Sequence, residues 1–245
     1  MKDLSWIQNN LIAHRGLHTK DAKIPENSMI AFQKALEKGY SIEFDLNVLK
    51  DGTVLAYHDH TFQRLCHDPR ELRDVTYDEC KDLTLADTNE KIPRFDEVLK
   101  LVNGNVPLLI ELKPHGDVIF LCESTMKTIK DYQGQWAVFS FHPQVVSWFK
   151  KYYPQVIRGQ ISECFRNDLK MSHMTKYLMK AMFFNRFTKP DFVSYGISDM
   201  PNKYLDRLMK KGITVISYAA RSQIEFDFVK SHYHNTVFEF FEPKK

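Results

Sequence analysis

The sequence has no apolar run long enough to cross a membrane and no pair of cysteines spaced for a metal cluster. A transmembrane helix needs about 20 consecutive apolar residues, and the N-terminus lacks the apolar core of a secretory leader. We therefore expect neither a membrane span nor a signal peptide. The cysteines are widely separated, at Cys66, Cys80, Cys122 and Cys164. Isolated thiols predict a reduced, cytoplasmic protein without a disulfide framework.

A strong excess of one charge is also missing. The 34 lysines and arginines are nearly balanced by 31 acidic residues, which leaves a net charge of +3. Nucleic-acid-binding proteins usually carry a concentrated basic patch; none stands out, and we expect no nucleic-acid partner. Apolar residues make up 43% of the 245 residues, enough for a substantial core. The length suits one α/β barrel, which typically has about 250 residues.

Short apolar and β-branched runs alternate with amphipathic stretches, the pattern of βα units. Eight strands are predicted, at 11–14, 41–46, 108–112, 136–141, 156–161, 191–195, 213–218 and 236–240. Helices are predicted at 27–38, 95–103, 117–131, 143–152, 171–184, 202–211 and 222–231. The predicted fold class is α/β, a (β/α)8 TIM barrel in which residues 1–245 form a single domain.

One stretch, about residues 47–94, interrupts this alternation between the second strand and the second helix. Within it, Asp51-Gly52 is a two-residue hairpin signal. The second strand is therefore predicted to turn back antiparallel through a further strand at 54–57. The remainder, 62–91, is polar and charged and predicts a small subdomain over the barrel mouth, as a lid would lie.

The two-residue loop also predicts a register for the hairpin. It pairs Lys50 with Thr53, and counting back places His58 opposite Asp45. Glu43 shares a face with Asp45 because side chains alternate along a strand. A slip of one residue would break this arrangement.

Acidic side chains close two of the predicted strands, where an α/β barrel builds its active site. They are Glu43 and Asp45 on the second strand and Glu111 on the third. The pair on the second strand alone is more often a solvated strand end. Three converging carboxylates, however, repel one another unless a cation lies among them. Oxygen ligands favour Mg²⁺ or Ca²⁺ over zinc or copper, so we predict one divalent cation here.

Two histidines and two cations accompany these carboxylates. His14 and His58 can divide acid–base work near neutral pH, one accepting a proton and the other donating one, although a lone histidine is more often structural. Arg15 offers a planar donor fork to phosphate oxygens, and Lys113 offers a compact positive charge. Lys113 is equally suited to pairing with a neighbouring carboxylate, and the two roles are compatible.

Other polar and aromatic residues have less distinctive roles. Asn27 is predicted to cap the first helix, and Glu26 is a candidate support for the metal cluster. Three aromatic residues close later strands, and we consider them as a pocket wall, although core packing is the commoner role for each: Phe141, Tyr195 and Tyr218.

The stretch 171–184 mixes apolar side chains with lysines. This composition is typical of a crossover helix between the fifth and sixth strands, and less often of a helix lying on a membrane surface. Peripheral membrane contact is therefore kept as the less common alternative.

Several short segments occur in a specific order along the chain. They are Ile-Ala-His-Arg-Gly (12–16), Pro-Glu-Asn-Ser (25–28), Ile-Glu-Phe-Asp (42–45), Lys-Asp-Gly (50–52), His-Asp (58–59) and Ile-Glu-Leu-Lys (110–113). With these segments, the chain resembles the glycerophosphodiester phosphodiesterase family, and most closely its bacterial type.

The resemblance implies a (β/α)8 barrel with a small insertion after the second strand. It implies metal-dependent hydrolysis of glycerophosphodiesters, the deacylated phospholipids, to sn-glycerol 3-phosphate and an alcohol. By position, the residues it implies are Glu43, Asp45 and Glu111 as metal ligands, His14 and His58 as the acid–base pair, and Arg15 and Lys113 as phosphate contacts.

The C-terminal part departs from the family pattern. Residues 215–218 lack the Trp-Thr pair often found near the seventh strand, and 238–243 replace the usual Thr-Asp-x-Pro-like close. These positions bear on substrate choice. A lysophospholipase D, with 171–184 seating an acyl chain, is the second hypothesis. A non-catalytic phosphodiester-binding barrel is less favoured, because every expected catalytic residue is present.

Overall fold

The structure, a computed structural model, describes residues 2–169 and 171–244. The strands are β1 (Ile12–Ala13), β2 (Ser41–Val48), β3 (Val54–Ala56), β4 (Leu108–Leu112), β5 (Trp136–Ser140), β6 (Ile157–Ser162), β7 (Phe192–Gly196), β8 (Thr214–Ala220) and β9 (Asn235–Phe238). Each strand end lies within two residues of its predicted position.

The helices in chain order are α1 (Ser5–Asn9), α2 (Met29–Glu37), α3 (Gln63–Cys66), α4 (Tyr77–Cys80), α5 (Phe95–Val102), α6 (Val118–Ile129), α7 (Pro143–Tyr152), α8 (His173–Lys180), α9 (Asn185–Thr188), α10 (Lys203–Met209) and α11 (Gln223–His232). Every predicted helix is present. The short helices α1, α3, α4 and α9 were not predicted, because four or five residues are too few to show a helical period.

The alternating strands and helices form a (β/α)8 barrel, which confirms the predicted fold class. The chain divides into two compact units, Ile12–Ala137 and Met1–Leu11 with Val138–Lys245. We call these the N-terminal unit and the C-terminal unit. A single domain stays a prediction.

Within the N-terminal unit, β2 pairs in parallel with both β1 and β4. The register with β4 sets Asp45 beside Glu111. Residues of β2 are buried along nearly the whole strand, as expected for a strand covered on both faces. This register determines which polar side chains meet at the carboxyl ends of the two strands.

The predicted hairpin is present, but its predicted register is wrong by one residue. Val48 lies opposite Val54, and the Tyr57 amide donates to the Asp45 carbonyl oxygen at 3.0 Å. The connection is one residue longer than predicted. Gly52 has φ +86° in it, the left-handed conformation that three-residue hairpin loops use.

The rest of the insertion was predicted to be polar, but it has an apolar core. It packs around an apolar cluster of its own, made of Leu49, Leu55, Tyr57, Phe62, Leu65, Leu72, Val75, Cys80, Leu85 and Ile92. These residues are scattered among charged ones along the chain, which hid the cluster. A lid role for this subdomain stays a prediction.

In the C-terminal unit, β6, β7, β8 and β9 are parallel neighbours in chain order. The predicted crossover helix is present as α8, between β6 and β7, although it is shorter than predicted. All four cysteines are free thiols, as predicted. No helix in the described ranges is both long and apolar enough to span a bilayer.

Candidate active site

The three predicted carboxylates lie together at the ends of neighbouring strands. Asp45 is beside Glu111 in the parallel register of β2 and β4, and Glu43 is two residues earlier on the same face of β2. One oxygen of each side chain lies within 4.8 Å of the other two. All three residues are buried, so solvent screens little of their mutual repulsion.

The environment shifts the pKa values of these three carboxyls in different directions. Burial raises the pKa of Glu43 well above its usual range, and the charges of Asp45 and Glu111 add to this. Burial also raises the pKa of Glu111, with Asp45 adding to the effect and Lys113 opposing it. For Asp45, burial acts in the same direction, but Lys113 and Arg15 outweigh it and the pKa lies far below the usual range.

This cluster is suited to a hard divalent cation. Ionising Glu43 and Glu111 beside Asp45 is unfavourable without further positive charge, as the raised pKa values indicate. Carboxylate oxygens are the ligands that Mg²⁺ and Ca²⁺ prefer. Glu43, Asp45 and Glu111 are therefore the residues that could hold a metal ion.

The loop after β1 brings His14 and Arg15 to the cluster. His14 Nε2 lies 3.9 Å from Glu43 Oε2, and the Arg15 amide donates to the same oxygen at 3.0 Å. Arg15 and Gly16 have φ of +52° and +76°, so two consecutive left-handed residues turn the chain sharply. A β-carbon on Gly16 would lie 2.8 Å from the Ala31 carbonyl carbon, and only glycine permits this approach.

The two predicted phosphate-binding cations both contact the carboxylates. Arg15 Nε lies 3.1 Å from Asp45 Oδ2. Lys113 Nζ lies 2.7 Å from Glu111 Oε1 and 3.4 Å from Asp45 Oδ1. The carboxylate pairing foreseen for Lys113 is thus present. It holds positive charge at the edge of the cluster, where a phosphate could also meet it.

Asn27 has a different role from the one predicted. Ser28 caps α2 instead, its side chain accepting a hydrogen bond from the Ala31 amide. Asn27 has φ +54°, and its Nδ2 donates to Asp45 Oδ2 at 3.0 Å. The left-handed backbone at Asn27 directs its side-chain amide to the carboxylate cluster, while the neighbouring Ser28 caps the helix.

His58 follows the end of β3 and reaches the same region despite the register slip. Its Nδ1 lies 2.6 Å from Asp59 Oδ1. Asn47 supports the backbone here, since its Nδ2 donates to the carbonyl oxygens of Tyr57 at 2.8 Å and Asp59 at 3.2 Å. A positive charge on His58 lowers the pKa of Asp45, which reflects its proximity to the carboxylates.

Arg64 joins the histidine to the arginine through two carboxylates. Its Nε donates to Asp59 Oδ2 at 2.6 Å, and its two terminal nitrogens donate to the Glu26 carboxylate at 2.7 and 3.0 Å. Glu26 in turn accepts from Arg15 at 2.7 Å. A continuous series of hydrogen bonds therefore runs from His58 through Asp59, Arg64 and Glu26 to Arg15.

This network lowers the pKa of both of its carboxyls. For Glu26, burial acts to raise the pKa, but hydrogen bonds from Arg64 and the charge of Arg15 outweigh it. For Asp59, burial is likewise outweighed by His58 and Arg64. Both therefore remain carboxylates at neutral pH and hold their partners in place.

Sequence reasoning missed Arg64 and the role of Asn27. Arg64 lies on the four-residue helix α3 inside the insertion, and nothing in its local sequence indicates a partner. Asp59 was singled out with His58 as the His-Asp segment (58–59), but its hydrogen bond to the imidazole was not predicted, although a carboxylate often orients a histidine in this way. Glu26 was considered as a support for the metal cluster; it pairs with Arg15, which in turn lies against Asp45, and the supporting role stays a prediction.

Comparison with known proteins places this site in a family. A family model described as the glycerophosphoryl diester phosphodiesterase family matches residues 14–237. The chain belongs to this family. The predicted family and the predicted enzyme class, a glycerophosphodiester phosphodiesterase, are thereby confirmed.

Similar phosphodiesterases occur in bacteria. The glycerophosphodiester phosphodiesterase of Caldanaerobacter subterraneus subsp. tengcongensis is 30% identical over 167 residues, which cover 63% of this chain and 67% of that protein. The enzyme of Bacillus altitudinis is 30% identical over 158 residues, covering 60% and 63% of the two chains.

Solved structures share the fold at lower identity. A phosphodiesterase from Oleispira antarctica, in complex with the product sn-glycerol-3-phosphate, matches with a TM-score of 0.79 and 16% identity, covering 96% of this chain and 94% of the other. The glycerophosphodiester phosphodiesterase of Thermotoga maritima matches with a TM-score of 0.71 and 19% identity, covering 94% of each chain.

The three aromatic residues considered as a pocket wall belong to the C-terminal unit and differ in exposure. Tyr195 is fully buried in an apolar cluster and donates its hydroxyl to the Lys180 carbonyl oxygen at 3.1 Å. It packs in the core and offers no surface to a ligand, so the structure corrects its assignment. Phe141 and Tyr218 are partly exposed, and their rings pack edge to face with centres 5.8 Å apart. Their part in a pocket stays a prediction.

Proposed function

We propose that this phosphodiesterase hydrolyses glycerophosphodiesters to sn-glycerol 3-phosphate and an alcohol, using one divalent cation and a pair of histidines. The cation, Mg²⁺ or Ca²⁺, would be held by Glu43, Asp45 and Glu111. The observation that carries this proposal is the buried meeting of these three carboxylates, with ligand oxygens within 4.8 Å of one another.

The charges around the cluster suit a phosphodiester. When bound, the cation would polarise a phosphate oxygen. Arg15 and Lys113 lie against the same carboxylates and add fixed positive charge in a site of low dielectric. Such charge favours the transition state, in which negative charge builds up on the phosphoryl oxygens.

His14 and His58 exchange the protons that the reaction requires. One imidazole accepts the proton of the attacking nucleophile, either water or the neighbouring glycerol hydroxyl, and the other donates a proton to the leaving alkoxide. If the glycerol hydroxyl attacks, water then opens the cyclic phosphate to give sn-glycerol 3-phosphate. The Asp59 carboxylate accepts the hydrogen bond of His58 Nδ1 and so directs proton exchange to Nε2. His14 is close to Glu43, which places it beside the metal ligands.

The complex of the Oleispira antarctica phosphodiesterase with sn-glycerol-3-phosphate supports the same product for this chain. The four free cysteines support a reducing compartment such as the cytoplasm.

The test is an assay of the chelator-treated enzyme resupplied with Mg²⁺ or Ca²⁺, reading out glycerol 3-phosphate from glycerophosphocholine and glycerophosphoethanolamine. Glu43→Gln should lower turnover by orders of magnitude while the circular dichroism stays native. Glu37→Gln, on α2 and exposed, is the matched control and should leave turnover unchanged. Full turnover by Glu43→Gln would refute the site. Faster release of lysophosphatidic acid from lysophosphatidylcholine would instead support a lysophospholipase D.

The two-histidine scheme makes a separate prediction about pH. If one imidazole must be neutral and the other protonated, kcat/KM should pass through a maximum between two apparent pKa values that belong to the pair. The measurement is kcat/KM for glycerophosphocholine from pH 5 to pH 10 at saturating cation. A monotonic profile would contradict the scheme.

A further inference from the structure

Helices α8, α9 and α10 of the C-terminal unit carry positive charge and exposed apolar side chains on one surface. We call this the basic–aromatic surface, and six of its residues line one groove: Tyr177, Phe183, Arg186, Tyr204, Arg207 and Lys211. Lys180 and Phe187 adjoin the groove through the rings of Tyr177 and Phe183, and Met174 lies one turn before Tyr177 on α8. Nothing in the hydrolytic chemistry uses these residues, which leaves their exposure to be explained.

Large apolar side chains stand out into solvent here. Met174 is 68% exposed, Tyr177 is 52% exposed and Phe187 is 57% exposed. Single exposed apolar residues are ordinary on protein surfaces, but three within fourteen residues of chain, beside a groove, are typical of a binding surface.

The charge of this segment is of one sign. Residues 171–190 contain four lysines and arginines and no aspartate or glutamate. In the described ranges, no ion pair to a carboxylate is found for Lys176, Lys180 or Arg186, nor for Arg207 and Lys211 on α10 and just after it. Unneutralised cations on a chain with a net charge of only +3 make this a local basic patch, which extends the lysine-containing stretch 171–184 noted in the sequence.

A groove is lined by residues of α8 and α9 together with residues of α10. Its volume is about 610 Å³, and its walls include Tyr177, Phe183 and Tyr204, with Arg186 and Arg207 also lining it. The Arg186 guanidinium carbon lies 3.8 Å from the centre of the Phe183 ring, and Lys180 Nζ lies 5.8 Å from that of Tyr177. Aromatic faces thus carry cations whose remaining donors are free to meet anions.

We propose that the basic–aromatic surface docks on the anionic headgroups of a lipid bilayer. Lysines and arginines bind the negative surface, while Met174, Tyr177 and Phe187 enter the boundary between headgroups and acyl chains. A nucleic acid would also complement the charge, but exposed methionine and phenylalanine beside the lysines favour the lipid boundary. The exposed side chains therefore favour peripheral membrane contact, which the sequence offered as the less common alternative for residues 171–184.

The test is vesicle co-sedimentation of the full-length protein, with phosphatidylcholine vesicles compared with vesicles that also contain phosphatidylglycerol. Binding should require phosphatidylglycerol and weaken as salt is raised. Lys180→Gln should lower the partition coefficient about fivefold, the effect of one cation at a lipid surface. Tyr177→Ser should lower it further by removing the apolar contact.

The chain offers a matched control on α7. Tyr152 is 54% exposed, and Lys151 Nζ lies 4.7 Å from the centre of its ring. Tyr152→Ser and Lys151→Gln remove the same groups from a helix outside α8, α9 and α10 and should leave vesicle binding unchanged. Turnover of glycerophosphocholine in solution should be the same in all four variants, which verifies their folding.

Several results would overturn the proposal. They are the absence of binding to phosphatidylglycerol vesicles, equal binding to neutral vesicles, and equal losses in the α7 control variants. Binding of a single-stranded oligonucleotide in place of vesicles would assign the surface to nucleic acid. A concentration-dependent dimer that Tyr177→Ser dissociates would assign it to a second copy of the chain.

Discussion

Glu43 is the residue whose charge the fold accommodates least well. Burial and the charges of Asp45 and Glu111 raise its pKa well above the usual range, so the folded chain binds this proton more tightly than the unfolded chain does. A carboxyl whose pKa is higher in the folded chain than in the unfolded chain stabilises the fold only while it is protonated. The free energy of unfolding therefore falls as pH rises from about 4.3, the pKa in the unfolded chain, through the pKa in the folded chain. A bound cation removes this loss.

The first prediction is that Glu43→Gln stabilises the protein at neutral pH when a chelator is present. The glutamine keeps the shape but carries no charge, so the wild type should lose more stability than the variant as pH rises from about 4. The measurement is urea unfolding as a function of pH. With a divalent cation added, the order should reverse. A variant no more stable than the wild type in chelator would contradict the electrostatic account.

The second prediction concerns Arg64, which donates hydrogen bonds to both Asp59 and Glu26 and so orients the two carboxylates. Arg64→Met should lower kcat about 10–100-fold, the usual effect of losing a group that orients a catalytic residue, while KM changes little. The maximum of the pH–activity profile should also shift, since His58 loses support for its partner.

The matched control is Arg70, which lies in the same insertion. Arg64 is 46% exposed and Arg70 is 43% exposed, and Arg70 holds Asp68 through comparable short hydrogen bonds. Arg70→Met should leave kcat and the pH profile unchanged. Equal losses in both variants would show that the insertion is merely destabilised.

At the scale of elements, two short loops present side chains of the proposed active site. The loop after β1 turns through left-handed residues at Arg15 and Gly16, and the turn into α2 does so at Asn27. The two loops are joined by a hydrogen bond from the Asn27 amide to the Arg15 carbonyl oxygen, at 3.0 Å. Such conformations persist at functional sites because the surrounding contacts enforce them.

The third prediction concerns Gly16 and its control Gly39. Both have positive φ, but a β-carbon on Gly16 would lie 2.8 Å from Ala31, whereas one on Gly39 would have nothing within 4 Å. Gly39→Ala should destabilise the protein by about 1–2 kcal/mol from backbone strain alone. Gly16→Ala should cost more and should also lower kcat, because His14 and Arg15 would move. Thermal unfolding and turnover measure these effects; equal unfolding free energies would contradict the steric argument.

At the scale of the whole molecule, the proposed metal site would couple cation binding to stability. A ligand that binds only the folded state at 100 times its Kd adds about 2.7 kcal/mol. For a domain of this size, that corresponds to a rise of about 5–10 °C in Tm. The fourth prediction is this rise in Tm for the wild type at neutral pH when Mg²⁺ or Ca²⁺ replaces the chelator. Glu43→Gln should respond much less, and an unchanged wild-type Tm would contradict a structural role for the cation.

Much of the fold and the core of the candidate site could be predicted from the sequence. Strand and helix periods follow from local alternation of apolar residues, so strand ends were placed within two residues. The ends of parallel strands meet at one edge, so Glu43, Asp45 and Glu111 could be grouped from their positions alone. The hairpin register could not, because two- and three-residue loops are compatible with the same Asp51-Gly52 signal.

The sequence by itself determined the barrel, the acidic cluster and the histidines near it, since each depends on residue type and on position within an element. Tertiary structure alone decided that Asn27 orients Asp45, that Arg64 links His58 to Arg15, and that the basic–aromatic surface forms. These contacts join segments far apart in the chain, and packing, which no local pattern encodes, brings them together.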